Sequence, residues 1–289
     1  MTSDVLDEVT GARLFFKCEH LQHTGSFKLR GAGHAVSLLN SDCPGVATHS
    51  SGNHGAALAC AAAQRGLRAE IAMPEGAVAD KVDNVRRHGG RVHFCEPTQA
   101  GREAMLARLV DTGLEPIPPY DDDRIIAGQG SAALELIEQV PDLDCIVAPV
   151  GGGGLVSGTA LAALTTTRPP AVVGVEPAGA DDTARSLAAG RRVADHQPDT
   201  VADGLRALVG ERNLDLIRRH VTAVTTVSEV QILAAMELIW AQLKQTAEPS
   251  GAVALAGILT DPERFAGRRI GVIISGGNLD VAACLAALR

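Results

Sequence analysis

After a first apolar run, Arg13 to Cys18, short β-branched or apolar stretches near Gly45, Ala69, Arg91, Asp144, Ala171, Thr222 and Ile270 are each followed by a stretch of helical composition. This order restricts the fold more than any other feature of the chain. A strand that runs into a helix and then into another strand pairs in parallel, because the crossover returns the chain to its starting end. The expected class is α/β, with parallel-rich twisted sheets covered by helices. At 289 residues the chain can bury a large core and divides into two lobes. Hydrophobic residues make up 46% of it but aromatic ones only 2%, so that core is built from Ala, Val, Leu and Ile. Few rings are left to stack on a planar ligand, and Phe27 is the most suggestive.

Glycine-bearing turns punctuate the alternation. Gly151, Gly152, Gly153 and Gly154 follow the apolar run Cys145 to Val150 and precede the helical run Leu155 to Leu164. Four consecutive glycines are costly to order; backbone closing around a phosphate is one reason to carry them, and tight packing is the other. Ser50-Ser51-Gly52-Asn53-His54-Gly55 follows Gly45 to Thr48 and opens the Ala-rich run Ala56 to Ala63. Free N–H groups and the positive dipole end at such a helix start favour an anion, while an ordinary cap by Ser51 or Asn53 is the alternative. Ser275-Gly276-Gly277-Asn278 repeats the pattern of strand, turn and helix after Gly271 to Ile274. Lys28, in Thr24-Gly25-Ser26-Phe27-Lys28-Leu29-Arg30-Gly31-Ala32, is wrapped in small residues, as suits an amine that holds a cofactor aldehyde; a solvated turn lysine is the alternative.

Together with Glu248-Pro249-Ser250-Gly251-Ala252 and Ala202-Asp203-Gly204, these motifs resemble the pyridoxal-phosphate enzymes of fold type II, the tryptophan synthase β-like family. Within it they are most similar to the serine/threonine dehydratase and serine racemase branch. The resemblance spans nearly the whole chain. It implies a small mobile domain, 44–121, inserted into a large cofactor-binding domain, 1–43 and 122–289, with the active site in the cleft. It also implies Lys28 as cofactor-holding amine and base, Phe27, Gly204 and Glu248 beside the cofactor, Gly151 to Gly154 around its phosphate, Asn53 on the ring hydroxyl and Ser275 on the ring nitrogen. A serine at that nitrogen, unlike an aspartate, suits β-elimination better than transamination. Ser50, Ser51, Gly52, Asn53 and His54 would hold the substrate carboxylate.

Ser51 divides the branch, since many plain threonine dehydratases carry alanine there whereas serine racemases and hydroxyaspartate dehydratases carry serine, on the face opposite the lysine, where it implies a second acid/base; a cap or carboxylate contact is the alternative. Glu176, the Ala180 carbonyl and Asp182 match the racemases' Mg²⁺ or Ca²⁺ site, against an N-cap by Asp181 or Asp182 on a helix from Thr183 to Ala189. The nucleotide-activation site is less well matched, at Ala56 and His88. Relatives carry a leading helix and a strand-like segment ahead of the stretch matching Thr2 to Leu6, so uncovered apolar surface on the large domain is expected.

The implied activity is dehydration of L-serine and L-threonine to a 2-oxo acid and ammonia, with or without serine racemisation, by a homodimer. A 3-hydroxyaspartate dehydratase is the nearest alternative. A cysteine-synthase-like β-replacement transferase is disfavoured by the loop Ser51 to Gly55, and a nicotinamide-binding Rossmann protein by the missing GxGxxG. A net charge of −8 argues against nucleic acid or anionic membrane as partners. Cys18, Cys43, Cys60, Cys95, Cys145 and Cys284 show neither CxxC spacing nor clustering and read as buried free thiols of a reducing compartment. With neither a signal peptide nor a membrane-spanning run in the sequence, a soluble cytoplasmic enzyme is expected.

Overall fold

The computed structural model describes residues 1–50, 52–77 and 79–279. Helix α1 (Asp4–Thr10) precedes β1 (Arg13–Cys18) and α2 (Lys28–Ser37). Then come β2 (Gly45–His49), α3 (Asn53–Gln64), β3 (Arg68–Pro74), α4 (Ala79–Arg87), β4 (Arg91–Cys95), α5 (Gln99–Val110) and β5 (Glu115–Pro116). The remainder is α6 (Asp123–Gln139), β6 (Cys145–Pro149), α7 (Gly154–Ala163), β7 (Ala171–Pro177), α8 (Asp182–Ala189), α9 (Glu211–His220), β8 (Ala223–Val227), α10 (Glu229–Leu238), α11 (Pro249–Thr260) and β9 (Arg269–Ile274). Cys284 and the helix expected after Asn278 lie outside the described residues.

The strands form two sheets in the orders β1-β9-β6-β7-β8 and β4-β3-β2-β5, and every ladder is parallel. Parallel pairing is what the alternation predicts. Strand β5 escapes a sequence reading because it has two residues, one of them proline. The smaller sheet packs on the alanine face of α3, and the same cluster takes in Ala32, Ala35 and Val36 of α2 and Ile125 of α6. Its core therefore reaches beyond 44–121. On α1, Leu6 is buried while Val5 and Val9 stay exposed. Of the described cysteines only Cys95 and Cys145 are buried, whereas Cys18, Cys43 and Cys60 are half-buried, which corrects the expectation of uniformly buried thiols.

Helix α6 joins the halves of the site. A Cβ on Gly128 would stand 2.6 Å from the Gly31 Cα of α2, and one on Gly130 would stand 2.7 Å from the Gly158 carbonyl oxygen of α7. Both crossings are thus backbone against backbone, possible only with glycine. Helices α2 and α7 begin at Lys28 and Gly154, so α6 fixes the amine against the glycine run. A Gly158→Ala change would drive a methyl into the Ile126 carbonyl and is expected to cost about 3 kcal/mol, read by urea unfolding.

Candidate active site

The site lies at the carboxyl ends of β2, β6 and β9, where ligands bind open parallel sheets. Arg30 fixes the start of α2. Its five N–H donors are all taken: Nε and Nη2 by Glu19 (2.6 and 2.8 Å), Nη1 and Nη2 by Glu135 (2.8 and 2.6 Å), and Nη1 by Ser131 (3.1 Å). Lys17 neutralises the second carboxylate of this network at 2.7 Å from Glu135. The turn before Lys28 is zipped to the end of β9: the Phe27 amide donates to the Ser275 carbonyl (2.9 Å), and the Gly277 amide donates to that of Gly25 (2.9 Å).

Lys28 is half-buried as a residue, but its ammonium is enclosed by protein, donates to the Pro119 carbonyl at 2.8 Å and stands 5.1 Å from the Phe27 ring centre. That enclosure lowers its pKa to about 8, with the charge of Glu248 opposing. Glu248 is buried, and desolvation raises its pKa to about 7 against the hydrogen bond from Asn53 and the charges of Lys81 and Lys28. An acid and a base therefore titrate near neutrality a short way apart.

Asn53 begins α3, yet its side chain does not cap the helix, whose N-cap is Gly52. Its Nδ2 donates to Glu248 Oε1 (2.7 Å), and its Oδ1 accepts from Asn278 Nδ2 (2.9 Å), which fixes the amide's orientation across the cleft. Ser50 and Gly52 flank Ser51, which lies outside the described residues. His54 follows Asn53 on α3. Its imidazole is buried, donates from Nε2 to the Ile117 carbonyl (3.0 Å) and is held neutral, with a pKa lowered to about 3 first by burial and then by Lys28. The ring is part of the lobe's interior, and only the backbone amide, in the first turn of α3, is left for a carboxylate.

Gly151, Gly152, Gly153 and Gly154 are all buried, and among the described residues the amides of Gly151, Gly152 and Gly153 donate to nothing. With the free first-turn amides of α7 behind them, these unpaired buried donors form an anion seat. Gly153 has φ +91°, which glycine alone tolerates, and the ring of Tyr120 occupies the Cβ position of Gly152. Ser275 is buried, its Oγ donating weakly to the Ser250 carbonyl (3.3 Å). Gly204 borders the run, and its amide donates to Ser250 Oγ (3.0 Å). This donor set fits a phosphate ester with a carbonyl beside Lys28.

The second cluster sits at the end of β7. Glu176 and Asp182 are fully buried, and Ala180 lies between them in a 3₁₀ turn. Glu176 accepts from the amides of Thr183 (3.2 Å) and Ala184 (2.9 Å) and so caps α8, whereas Asp181 instead pairs with Arg185 (2.8 Å). The cap that Asp181 or Asp182 offered as the alternative to a metal site comes instead from Glu176 at the end of β7. Burial raises the Glu176 pKa to about 8. Asp182 Oδ2 accepts from the Val209 amide (2.8 Å), while Oδ1 has no aligned partner, with His196 Nδ1 at 3.3 Å. A buried carboxylate oxygen without a donor fits a hard cation.

Sequence reasoning missed Tyr120, Ser250, His196 and Lys81. Lys81, on α4, forms an ion pair with Asp203 on the far side of the cleft. No helix among the described residues is long and apolar enough to cross a membrane.

A family model described as pyridoxal-phosphate dependent enzyme matches residues 1–276. A β-hydroxyaspartate dehydratase of Paracoccus denitrificans is 49% identical over 97% of this chain and 90% of its own length. A serine racemase of Arabidopsis thaliana is 45% identical over 97% of this chain and 87% of its own length. The solved structure of maize serine racemase superposes with a TM-score of 0.95 at 41% identity, covering 100% of this chain and 90% of that one.

Proposed function

Because this chain belongs to the pyridoxal-phosphate-dependent enzyme family, we propose that it removes water from 3-hydroxy amino acids, L-serine and L-threonine among them, to give a 2-oxo acid and ammonia. The observation that carries this reading is the enclosed Lys28 amine, with its pKa lowered to about 8, beside an anion seat of unpaired buried amides. When bound, pyridoxal phosphate supplies an electron sink that makes the substrate's α-proton removable.

The chain's own residues supply the rest. Gly151 to Gly154 hold the phosphate, Asn53 the ring hydroxyl and Ser275 the ring nitrogen, with Glu248 orienting Asn53. Helix α3 offers the amides of Asn53 and His54 to the substrate carboxylate, the Gly52 amide is held by Ser50 Oγ (3.3 Å), and Ser50 and Ser51 are the hydroxyls assigned to the same carboxylate in this reading. Lys28 takes the α-proton, and that proton is the one the departing hydroxyl needs in order to leave as water. Ser51 serves the opposite face, which adds racemisation.

A second reading, dehydration of 3-hydroxyaspartate, is supported by the 49% identity to the Paracoccus enzyme. A second substrate carboxylate needs a cation, and Lys81 carries one whose field reaches Glu248. A panel of L-serine, L-threonine, 3-hydroxyaspartate and D-serine on the holoenzyme, scored for oxo acid, ammonia and D-amino acid together, tests both. Oxo acid from none of them would end the proposal.

Glu176, the Ala180 carbonyl and Asp182 hold Mg²⁺ or Ca²⁺ in this reading, and the bound cation stabilises the fold by about 2.7 kcal/mol at a hundred times its Kd. Its effect on melting temperature should be larger at pH 8 than at pH 6, because a carboxyl whose pKa is about 8 must release its proton to bind. If chelation changes neither melting temperature nor rate, and Asp182→Ala behaves as wild type, the cation site is wrong. The enzyme works as a cytoplasmic homodimer in this reading, with the lobe 44–121 moving over the substrate.

A further inference from the structure

The Gly152 carbonyl is held by two donors, the Gly210 amide at 3.1 Å and Asn213 Nδ2 at 2.7 Å. Its peptide unit is planar and trans, so the carbonyl of Gly152 and the N–H of Gly153 point in opposite directions from one rigid plate. Pulling the carbonyl outward turns that N–H inward. We infer that Asn213 is a positioning residue for the phosphate seat, aiming the Gly153 amide at the phosphate through the carbonyl it holds.

Three observations single out Asn213. It is fully buried, and its Oδ1 has no partner, so the side chain carries an unpaired polar oxygen that leucine, of similar volume, would not. Its retention at that cost points to the work of its other end. Its Cβ lies 2.8 Å from where a Cβ on Gly153 would sit, so it also walls the glycine in its left-handed conformation. Finally, Asn213 is itself anchored. Asp121 Oδ1 accepts from its backbone amide at 3.0 Å, and the Asp121 carbonyl accepts from Arg212 Nη1 at 2.6 Å. Asp121 holds φ +56° while doing so, an uncommon conformation for a non-glycine residue, in the connector that also brings Tyr120 onto Gly152. The connector between the sheets, the start of α9 and the glycine run are thus one node.

This inference rests on the reading of Gly151 to Gly154 as the phosphate seat, and the experiment separates the two. The full-length chain, stripped of cofactor, is titrated with pyridoxal phosphate and with pyridoxal, which reaches Lys28 in the same way but has no phosphate. Asn213→Leu is expected to cut the preference for the phosphorylated form by about 10-fold or more, while pyridoxal binding stays within about 2-fold of wild type. Asp121→Ala alters a half-buried side chain outside the seat and should give the same selective loss at about 3-fold. It decides the question if Asn213→Leu does not fold. Equal weakening of both ligands, or no change in either, overturns the inference. Gly152→Ala, which crowds Tyr120, tests the seat itself: a preference that survives it removes the phosphate from these glycines. A preference lost in Gly152→Ala but kept in Asn213→Leu and Asp121→Ala leaves the seat standing and refutes the role of Asn213 alone.

Discussion

Lys28→Ala is expected to lower turnover of every accepted 3-hydroxy amino acid by about 10³-fold or more, because one substitution removes both the cofactor-holding amine and the base. The fold should tolerate it. Lys28 is the first residue of α2, where alanine is a good helix former, and the lost bond to the Pro119 carbonyl is worth about 1 kcal/mol. Loss of activity with an unchanged melting profile therefore separates chemistry from structure. Lys28→Arg should be equally inactive, since a guanidinium stays protonated at any working pH. In the cofactor-free wild type, capture of pyridoxal phosphate should quicken as pH rises towards about 8, where the enclosed ammonium gives up its proton and the free amine accumulates. Borohydride reduction followed by peptide mapping should place the cofactor on Lys28. A label on Lys81 or Lys244, or a Lys28→Ala protein with a tenth of wild-type activity, would sink the assignment.

Ser51→Ala is expected to separate two activities. Lys28 can still act on L-serine from its own face, so dehydration of L-serine should largely persist. Formation of D-serine and elimination from D-serine should fall by about 10²-fold, the usual contribution of a positioned acid/base group. An unassisted hydroxyl is a poor base, so the effect depends on neighbours that share its proton. Equal loss of both activities would make Ser51 a carboxylate contact instead. No action of the wild type on D-serine would remove racemisation from the proposal and leave a dehydratase.

What the sequence made legible is local in the chain. Lys28 and Asn53 open α2 and α3, the glycine run links β6 to α7 and Ser275 follows β9, places where residue type and order carry the signal. The parallel sheets follow from the same alternation. The parts it did not show are made by contacts across long stretches of chain. Arg30 meets Glu135 105 residues away, and Asn213 meets Gly152 61 residues away. No spacing rule connects such pairs. Glu176 was legible as an oxygen donor but not as the cap of α8, because only the turn after β7 brings its carboxylate over the helix end. His54 was legible as a motif position at the start of α3, whereas the burial of its ring against the Ile117 carbonyl was not.

The two glycine crossings of α6 make the separation between the starts of α2 and α7 a matter of main-chain approach. It is set by how closely three helical backbones can approach, with the Arg30 side chain tying α2 to Ser131 and Glu135 of α6. The molecule therefore has a fixed gauge for one cofactor and free choice over what is presented to it. In the proposed reading, substitutions around Ser51, Lys81 or the lobe 44–121 change which hydroxy amino acid is accepted, or the stereochemical outcome, while the gauge stays unchanged. A single methyl at Gly130 or Gly158 would do the reverse, leaving every reactive group in place and setting them at the wrong separation. Divergence of substrate within this fold is cheap for that reason, and divergence of cofactor is not.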